Sequence, residues 1–85
     1  MNWDDIKIFL AIAKMGGLKK AAKVLGIHHS SCARRINTLE ADLGIQLFDR
    51  LPSGYALTQG GEQLLRSSQQ IQEGFNAIDR DVLAA

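Results

Sequence analysis

Cysteine and proline are nearly absent from these 85 residues. A lone Cys32 cannot close a disulfide within the chain, and such usage fits a reducing compartment, so a cytoplasmic location is expected. Pro52 alone interrupts the sequence, leaving long stretches free to be helical. Aromatic residues make up only 6%, and Trp3, Phe9, Phe48 and Phe75 are spaced by helical faces, as core or dimer-seam residues. They do not form the row of stacking platforms that a single-strand binder needs. No apolar run approaches the ~20 residues that span a bilayer. The N-terminus lacks the basic region and apolar stretch of a signal peptide, so no membrane partner is expected.

Catalytic and metal-binding constellations are missing too. Ser30 and Ser31 lie near His28 and His29 but have no orienting acid or oxyanion site, and the domain is too small for a deep pocket, so an enzyme is not expected. His28 and Cys32 are four residues apart with His29 beside them, but such a set without further cysteines is a weak zinc signal, and Cys32 falls in a core stripe. Neither metal nor cofactor is expected. Charge of one sign is scarce as well: the formal net charge is +1, little for a nucleic-acid binder. Its distribution matters more. Lys14, Lys19, Lys20, Lys23, Arg34, Arg35 and Arg50 lie in the first 50 residues, and Glu62, Glu73, Asp79 and Asp81 in the last third.

What remains is one small, mainly helical domain with 46% hydrophobic residues. Asn2 suits an N-cap, and Asp4 and Asp5 suit the positive end of a first helix carrying Trp3, Ile6, Phe9, Leu10 and Ala13 at helical spacing. Gly16 and Gly17 end it. A second helix runs roughly from Leu18 to Leu25, with Leu18, Ala21, Ala22 and Leu25 as its apolar face. Gly26 stops it, and Ile27 plugs the core below. A third runs roughly from His29 to Leu43, with Cys32, Ile36, Leu39 and Leu43 as its buried stripe. Ser30, Ser31, Ala33, Arg34, Asn37 and Thr38 fall off that stripe and face outward. Gly44 ends it. Short helix, tight turn, then a helix with exposed hydroxyls, histidines and arginines: residues 18–37 read as a helix-turn-helix that delivers its second helix to the major groove.

Ile45 to Arg50 reads as a short strand, Pro52-Ser53-Gly54 as a turn and Tyr55-Ala56-Leu57 as the returning strand. A three-helix core plus a two-stranded wing over residues 45–57 is a winged helix-turn-helix, here filling residues 1–58. Thr58 caps a last helix from about Gln59 to the end. Within residues 59–85, Leu64, Ser68, Ile71, Phe75, Ile78 and Val82 alternate steps of four and three, a heptad seam broken only by Ser68. At ~1.5 Å per residue that helix reaches roughly 40 Å, too long for the small core to cover, so its seam is expected to meet another chain.

The sequence resembles the N-terminal DNA-binding domain of bacterial LysR-type transcriptional regulators. The resemblance covers nearly the whole chain. It is carried by FLAIAKMGGLKKAAKVLGI, ARRINTLEADLGIQLFDR and GYALTQGGEQLL, and most specifically by LE-x-x-LG-x-x-LF-x-R from Leu39 to Arg50 with LT-x-x-G from Leu57 to Gly61. It implies a winged helix-turn-helix and a linker helix that pairs two copies into a homodimer, with a tetramer open to a full-length protein. It also implies a C-terminal effector-binding domain, similar to periplasmic binding proteins, that this chain does not contain. A small-molecule effector would act only through that domain, and the chain is then a DNA-binding fragment. The sequence departs from the family where DNA is read. His28, His29 and Ser30 stand where Ser-Gln followed by Pro or Ser is common, Ala33 replaces a usual serine, and Lys19 replaces a hydroxyl residue. An unusual target or weakened binding follows.

His29, Ser30 and Ser31, on the first turn of the recognition helix, are placed to meet base edges, unless the serines only satisfy helix amides. His28 stands where a cap is needed and is a poor one; it faces a phosphate or stands solvated. A histidine on a phosphate would strengthen binding as pH falls, because an imidazole gains its proton near ~6.5. Arg34 suits a guanine edge or a phosphate. Arg35 is nearer the boundary and is divided between DNA and pairing with Asp42 or Glu40. Lys19 and Lys20 crowd the positive end of a helix, a conflict that a docked phosphate removes; solvated lysines are the alternative. Arg50, Ser53, Gly54 and Tyr55 belong to the wing. The resemblance suggests that Arg50 touches DNA backbone or minor groove, against pairing with Asp49 or another carboxylate. Tyr55 is divided between core packing and donation to a phosphate. The expected function is sequence-specific binding of double-stranded DNA by a homodimer on an inverted repeat. The alternative is a winged-helix dimerisation or protein-docking module that no longer binds DNA.

Overall fold

Asn2 and Asp5 cap each other at the start of the chain. The Asp5 N–H donates to Asn2 Oδ1 and the Asn2 N–H to Asp5 Oδ2, both at 3.0 Å. This reciprocal pair satisfies two otherwise orphaned amides and starts α1 (Trp3–Met15). The computed structural model describes residues 1–83. The buried face of α1 is Ile6, Ile8, Phe9 and Ile12. It differs from the expected stripe: Ile8 and Ile12 are buried, whereas Trp3, Leu10 and Ala13 are half-buried, on a helix against which α2, α3 and α4 all pack. α2 (Leu18–Leu25) presents Ala21 and Ala22, both buried, and these small side chains let α1 approach closely. α3 (His29–Leu43) buries Cys32, Ile36 and Leu39. Leu43, expected to continue the stripe, is 37% exposed, on the last turn before Gly44 closes the helix.

The wing starts later than its apolar pattern suggests. β1 is Phe48–Leu51 and β2 is Gly54–Leu57, antiparallel from Phe48↔Leu57 to Leu51↔Gly54. Ile45 to Leu47 lies outside the ladder because its polar groups are used elsewhere. The Leu47 N–H donates to Glu40 Oε2 at 2.7 Å, and Gln46 O accepts the Thr58 hydroxyl at 2.6 Å. Leu47 and Phe48 are fully buried and join the helices in one core. The wing is also tied to the α1–α2 turn, where the Tyr55 N–H donates to Gly16 O at 2.9 Å. At Gly54 (φ +135°) an added Cβ would overlap that same carbonyl oxygen, so backbone conformation and close approach both require glycine.

Thr58 joins wing to linker. Its hydroxyl donates to Gln46 O and accepts the Gly61 N–H at 3.0 Å, capping α4 (Gln59–Ile78). The helix continues as a π-helical turn, Asp79–Leu83. The part of the expected helix over residues 84–85 lies outside the described residues. The proposed heptad seam divides in two. Leu64 packs partly buried against the core, and Ser68 is 0% exposed, so Ser68 is turned into its own protomer and is corrected from a surface seam position. Ile71, Phe75, Ile78 and Val82 are between 45% and 63% exposed. Trp3 of α1 reaches up to Phe75, ring centroids 5.1 Å apart, and so braces the linker beyond the core.

An added Cβ at Gly61 would overlap the Leu47 carbonyl oxygen and stand 2.9 Å from Leu57 Cδ2, whereas one at Gly74 would meet open space. Gly61→Ala is therefore expected to destabilise the domain by about 2 kcal/mol or more. Gly74→Ala, in the same helix, should stabilise it by roughly 0.5–1 kcal/mol. Urea denaturation of both variants checks the pair.

Candidate nucleic-acid interface

The N-terminus of α2, the first turn of α3 and the wing tip enclose an open cleft of about 640 Å³. Lys19, Lys20, His29 and Ser53 all line it, so four of the residues singled out from the sequence share one face. The cap residue of α2 is Gly17, which has no side chain to satisfy the first-turn amides. Those N–H groups sit at the positive end of the helix dipole, flanked by the exposed Lys19 and Lys20. Such a place suits a phosphate, which brings acceptor oxygens and negative charge together.

His28 is the cap of α3, a correction to its expected poor fitness for that role. Its Nδ1 accepts the Ser30 N–H at 3.2 Å and lies 2.8 Å from Ser30 Oγ. An Nδ1 that accepts leaves the ring proton on Nε2, so His28 has a donor for an anion without gaining a second proton. The His28 and His29 rings stack, centroids 4.4 Å apart. His29 and Ser30 are exposed and Ser31 is half-buried. Arg34 is exposed and forms no ion pair among the described residues. Arg35 turns back toward α1, its Nη2 3.8 Å from Asp5 Oδ1, rather than toward Asp42 or Glu40. Beneath this surface lies Cys32, fully buried, its thiol pushed up by burial although the Arg35 charge pulls the other way.

Arg50 is built into the scaffold. Its Nη1 donates to Glu40 Oε2 at 3.2 Å and to Phe48 O at 2.9 Å; its Nη2 donates to Glu40 Oε1 at 2.6 Å and to Asn37 Oδ1 at 2.8 Å. Both hydrogens on each terminal nitrogen are thus committed inside the chain. Its carboxylate partner is Glu40, not Asp49, so Arg50 has a structural role beside the DNA contact that the resemblance suggests. The guanidinium also lies over the Tyr55 ring, 5.0 Å from its centroid, and Tyr55 packs against Phe48. Glu40 accepts the Leu47 and Phe48 amides besides. Reasoning from sequence had given neither Glu40 nor Asn37 this role. The signal was an acid on α3 and a base ten residues later in one motif, separated by a glycine turn. Among the described residues, no cluster of three or more His, Cys, Asp or Glu side chains is placed to hold a metal ion, and no helix is long and apolar enough to cross a membrane.

Three packed helices, an outward face on the third and a wing pinned to both of its neighbours define a winged helix-turn-helix domain. A family model described as bacterial regulatory helix-turn-helix protein, lysR family, matches residues 3–62, and the chain belongs to that family. It is 42% identical over 71 residues to the HTH-type transcriptional regulator YofA of Bacillus subtilis, covering 84% of this chain and 25% of that protein. It is 33% identical over 78 residues to the Mau operon transcriptional activator of Paracoccus denitrificans, covering 92% and 28%. The chain therefore spans about a quarter of the length of these relatives. Among solved structures, it is similar to the DNA-binding domain of CbnR in a complex with DNA, with a TM-score of 0.85, 34% identity and 99% and 98% of the two chains covered. It is also similar to the DNA-binding domain of BenM on catB site 1 DNA, with a TM-score of 0.86, 26% identity and 92% and 88% covered.

Partial burial pushes the Glu40 carboxyl up. Hydrogen bonds from Arg50 and the Leu47 and Phe48 amides, with the Arg50 charge, outweigh it and hold the group below the ordinary carboxylate range. A carboxyl depressed in the folded state stabilises it above the unfolded value of ~4.3, and this contribution is lost as pH falls through the folded value. Glu40→Gln is expected to cost about 1–2 kcal/mol at pH 7. That deficit should shrink as pH falls below about 4, measured by denaturant titration across pH against the parent chain.

Proposed function

We propose that this chain is the DNA-binding part of a bacterial LysR-type transcription regulator and that it recognises double-stranded DNA in a sequence-specific way. The observation that carries the reading is the shared face. His29 of α3 lines one cleft with the uncapped start of α2, its two lysines and Ser53 of the wing, and Ser30 and Arg34 are exposed on the same helix. α3 enters the major groove. Arg34 and the first-turn residues His29, Ser30 and Ser31 meet base edges, while Lys19, Lys20, His28 and Ser53 hold phosphates and set the register. Arg35 contributes positive charge at the margin while pairing with Asp5. The LysR-family match and the two similar domains solved in complexes with DNA support this reading.

Residues 59–85 act as the linker and pair two copies. Ile71, Phe75, Ile78 and Val82 form the apolar stripe of that contact, with Leu64 at its inner end. Pairing places two recognition helices on one side of an inverted repeat. A full-length protein would add a C-terminal effector-binding domain and act in the bacterial cytoplasm, where a single reduced cysteine is at home.

Selection of bound duplexes from a random pool tests the reading directly, and enrichment of an inverted repeat is the expected result. Retention on duplex DNA should fall steeply with salt, and no retention at low salt would favour the protein-docking module instead. Arg34→Ala should cost about 1–3 kcal/mol and relax preference at one position per half-site. Lys19→Ala and Lys20→Ala should each weaken binding to all sequences and reduce the salt slope by about 1. Ile78→Asp is expected to shift sedimentation of the free chain from dimer to monomer.

A further inference from the structure

On α3 the outward row runs from Ser30 to Arg34 to Asn37, in steps of four and three that keep the three side chains on one face. At ~1.5 Å per residue, Asn37 lies roughly 10 Å beyond Ser30 along the helix. It is exposed. An unconstrained asparagine offers an acceptor and a donor side by side, the bidentate match to adenine. Asn37 is constrained. Arg50 Nη2 donates to its Oδ1 at 2.8 Å, and because a guanidinium has donors and no acceptor, only the oxygen of the carboxamide can face it. Arg50 is itself immobilised by two bonds to Glu40, one to Phe48 O and the face of Tyr55. The carboxamide NH₂ is thereby turned away from the clamp. The neighbouring Thr38 hydroxyl is spent on Arg34 O at 2.9 Å, so it does not compete with the Asn37 donors.

We infer that Asn37 is a specificity-determining residue that presents N–H donors alone, selecting an acceptor-bearing base edge in the major groove, guanine O6/N7 or thymine O4, with Arg50 as the positioning residue that fixes its orientation. The inference rests on the reading that α3 enters the major groove. Adenine is disfavoured because only its N7 accepts, and the N6 amino group beside it would meet N–H and not oxygen, whereas guanine offers two adjacent acceptors. A base edge is favoured over a phosphate because Asn37 is uncharged and the Arg50 charge behind it is balanced by Glu40, while the exposed cation of this face, Arg34, lies three residues nearer the helix start.

Random-pool selection with the 85-residue chain and two variants tests this. The parent should enrich guanine or thymine at one position in each half-site. Asn37→Ala should lose about tenfold of the discrimination at that position and leave the others intact. In Arg50→Lys one ammonium can hold Glu40 but cannot also span to Asn37, so the released carboxamide should admit adenine there. Thermal melting monitors the fold of both variants. Asn37→Ala leaves the Glu40–Arg50 pair in place and carries the test if the lysine variant unfolds. Unchanged base preferences in Asn37→Ala would overturn the assignment while leaving DNA binding by α3 standing. So would uniform weakening across all sequences with a shallower salt slope, which marks a phosphate contact, or an Asn37-dependent adenine in the parent. Failure of the parent to bind any duplex removes the reading of α3 itself, and the role of Asn37 with it.

Discussion

The Glu40 carboxylate holds the reading helix and the wing in one geometry. Two backbone amides at the entrance to β1 and both forks of Arg50 converge on its two oxygens. Each partner is a donor that would otherwise lose its solvation for little return as Leu47 and Phe48 enter the core. Charge-assisted bonds of this kind are directional as well as strong, so they set where the wing stands relative to α3 and do more than attach it. An apolar residue at position 40 would leave an arginine and two amides without their shared acceptor.

From that anchor the positions of the other surface groups follow. The wing reaches across to the α1–α2 turn through Tyr55 and Gly16, which closes the cleft on the side of Lys19 and Lys20. The small total charge of the chain then matters little. Among the cations of the three-helix core and wing, Arg50 pairs with Glu40 and Arg35 with Asp5. Lysines at the start of α2 and Arg34 stay exposed. Local potential, not the sum over the chain, is what an approaching polyanion meets.

Much of this architecture was legible from spacing. The ends of α2 and α3 were marked by Gly26 and Gly44, and Asn2 announced α1, because caps and helix stops depend on single residues and their immediate neighbours. What misled was contact with elements distant in sequence. Ile45 to Leu47 looked like strand, but its polar groups are claimed by Glu40 and Thr58. Ser68 fits a heptad and yet faces inward, since periodicity identifies a face without saying which neighbour covers it. The structural role of Arg50 was hidden until its four acceptors were seen together. His28 looked a poor cap because residue preference describes the average side chain, and this imidazole found the Ser30 amide. The outward face of α3 was readable because helical phase alone determines it.

Cys32 sits on the first turn of that same helix, shut off from solvent and with its thiol discouraged from ionising. Thiol chemistry runs through the thiolate, so Cys32 attacks no maleimide, disulfide or peroxide while the three helices remain packed. The sulfur becomes reachable only when the core opens. Its alkylation rate therefore registers how often the domain breathes, and bound ligands that clamp the helices together would slow that chemistry without touching the sulfur.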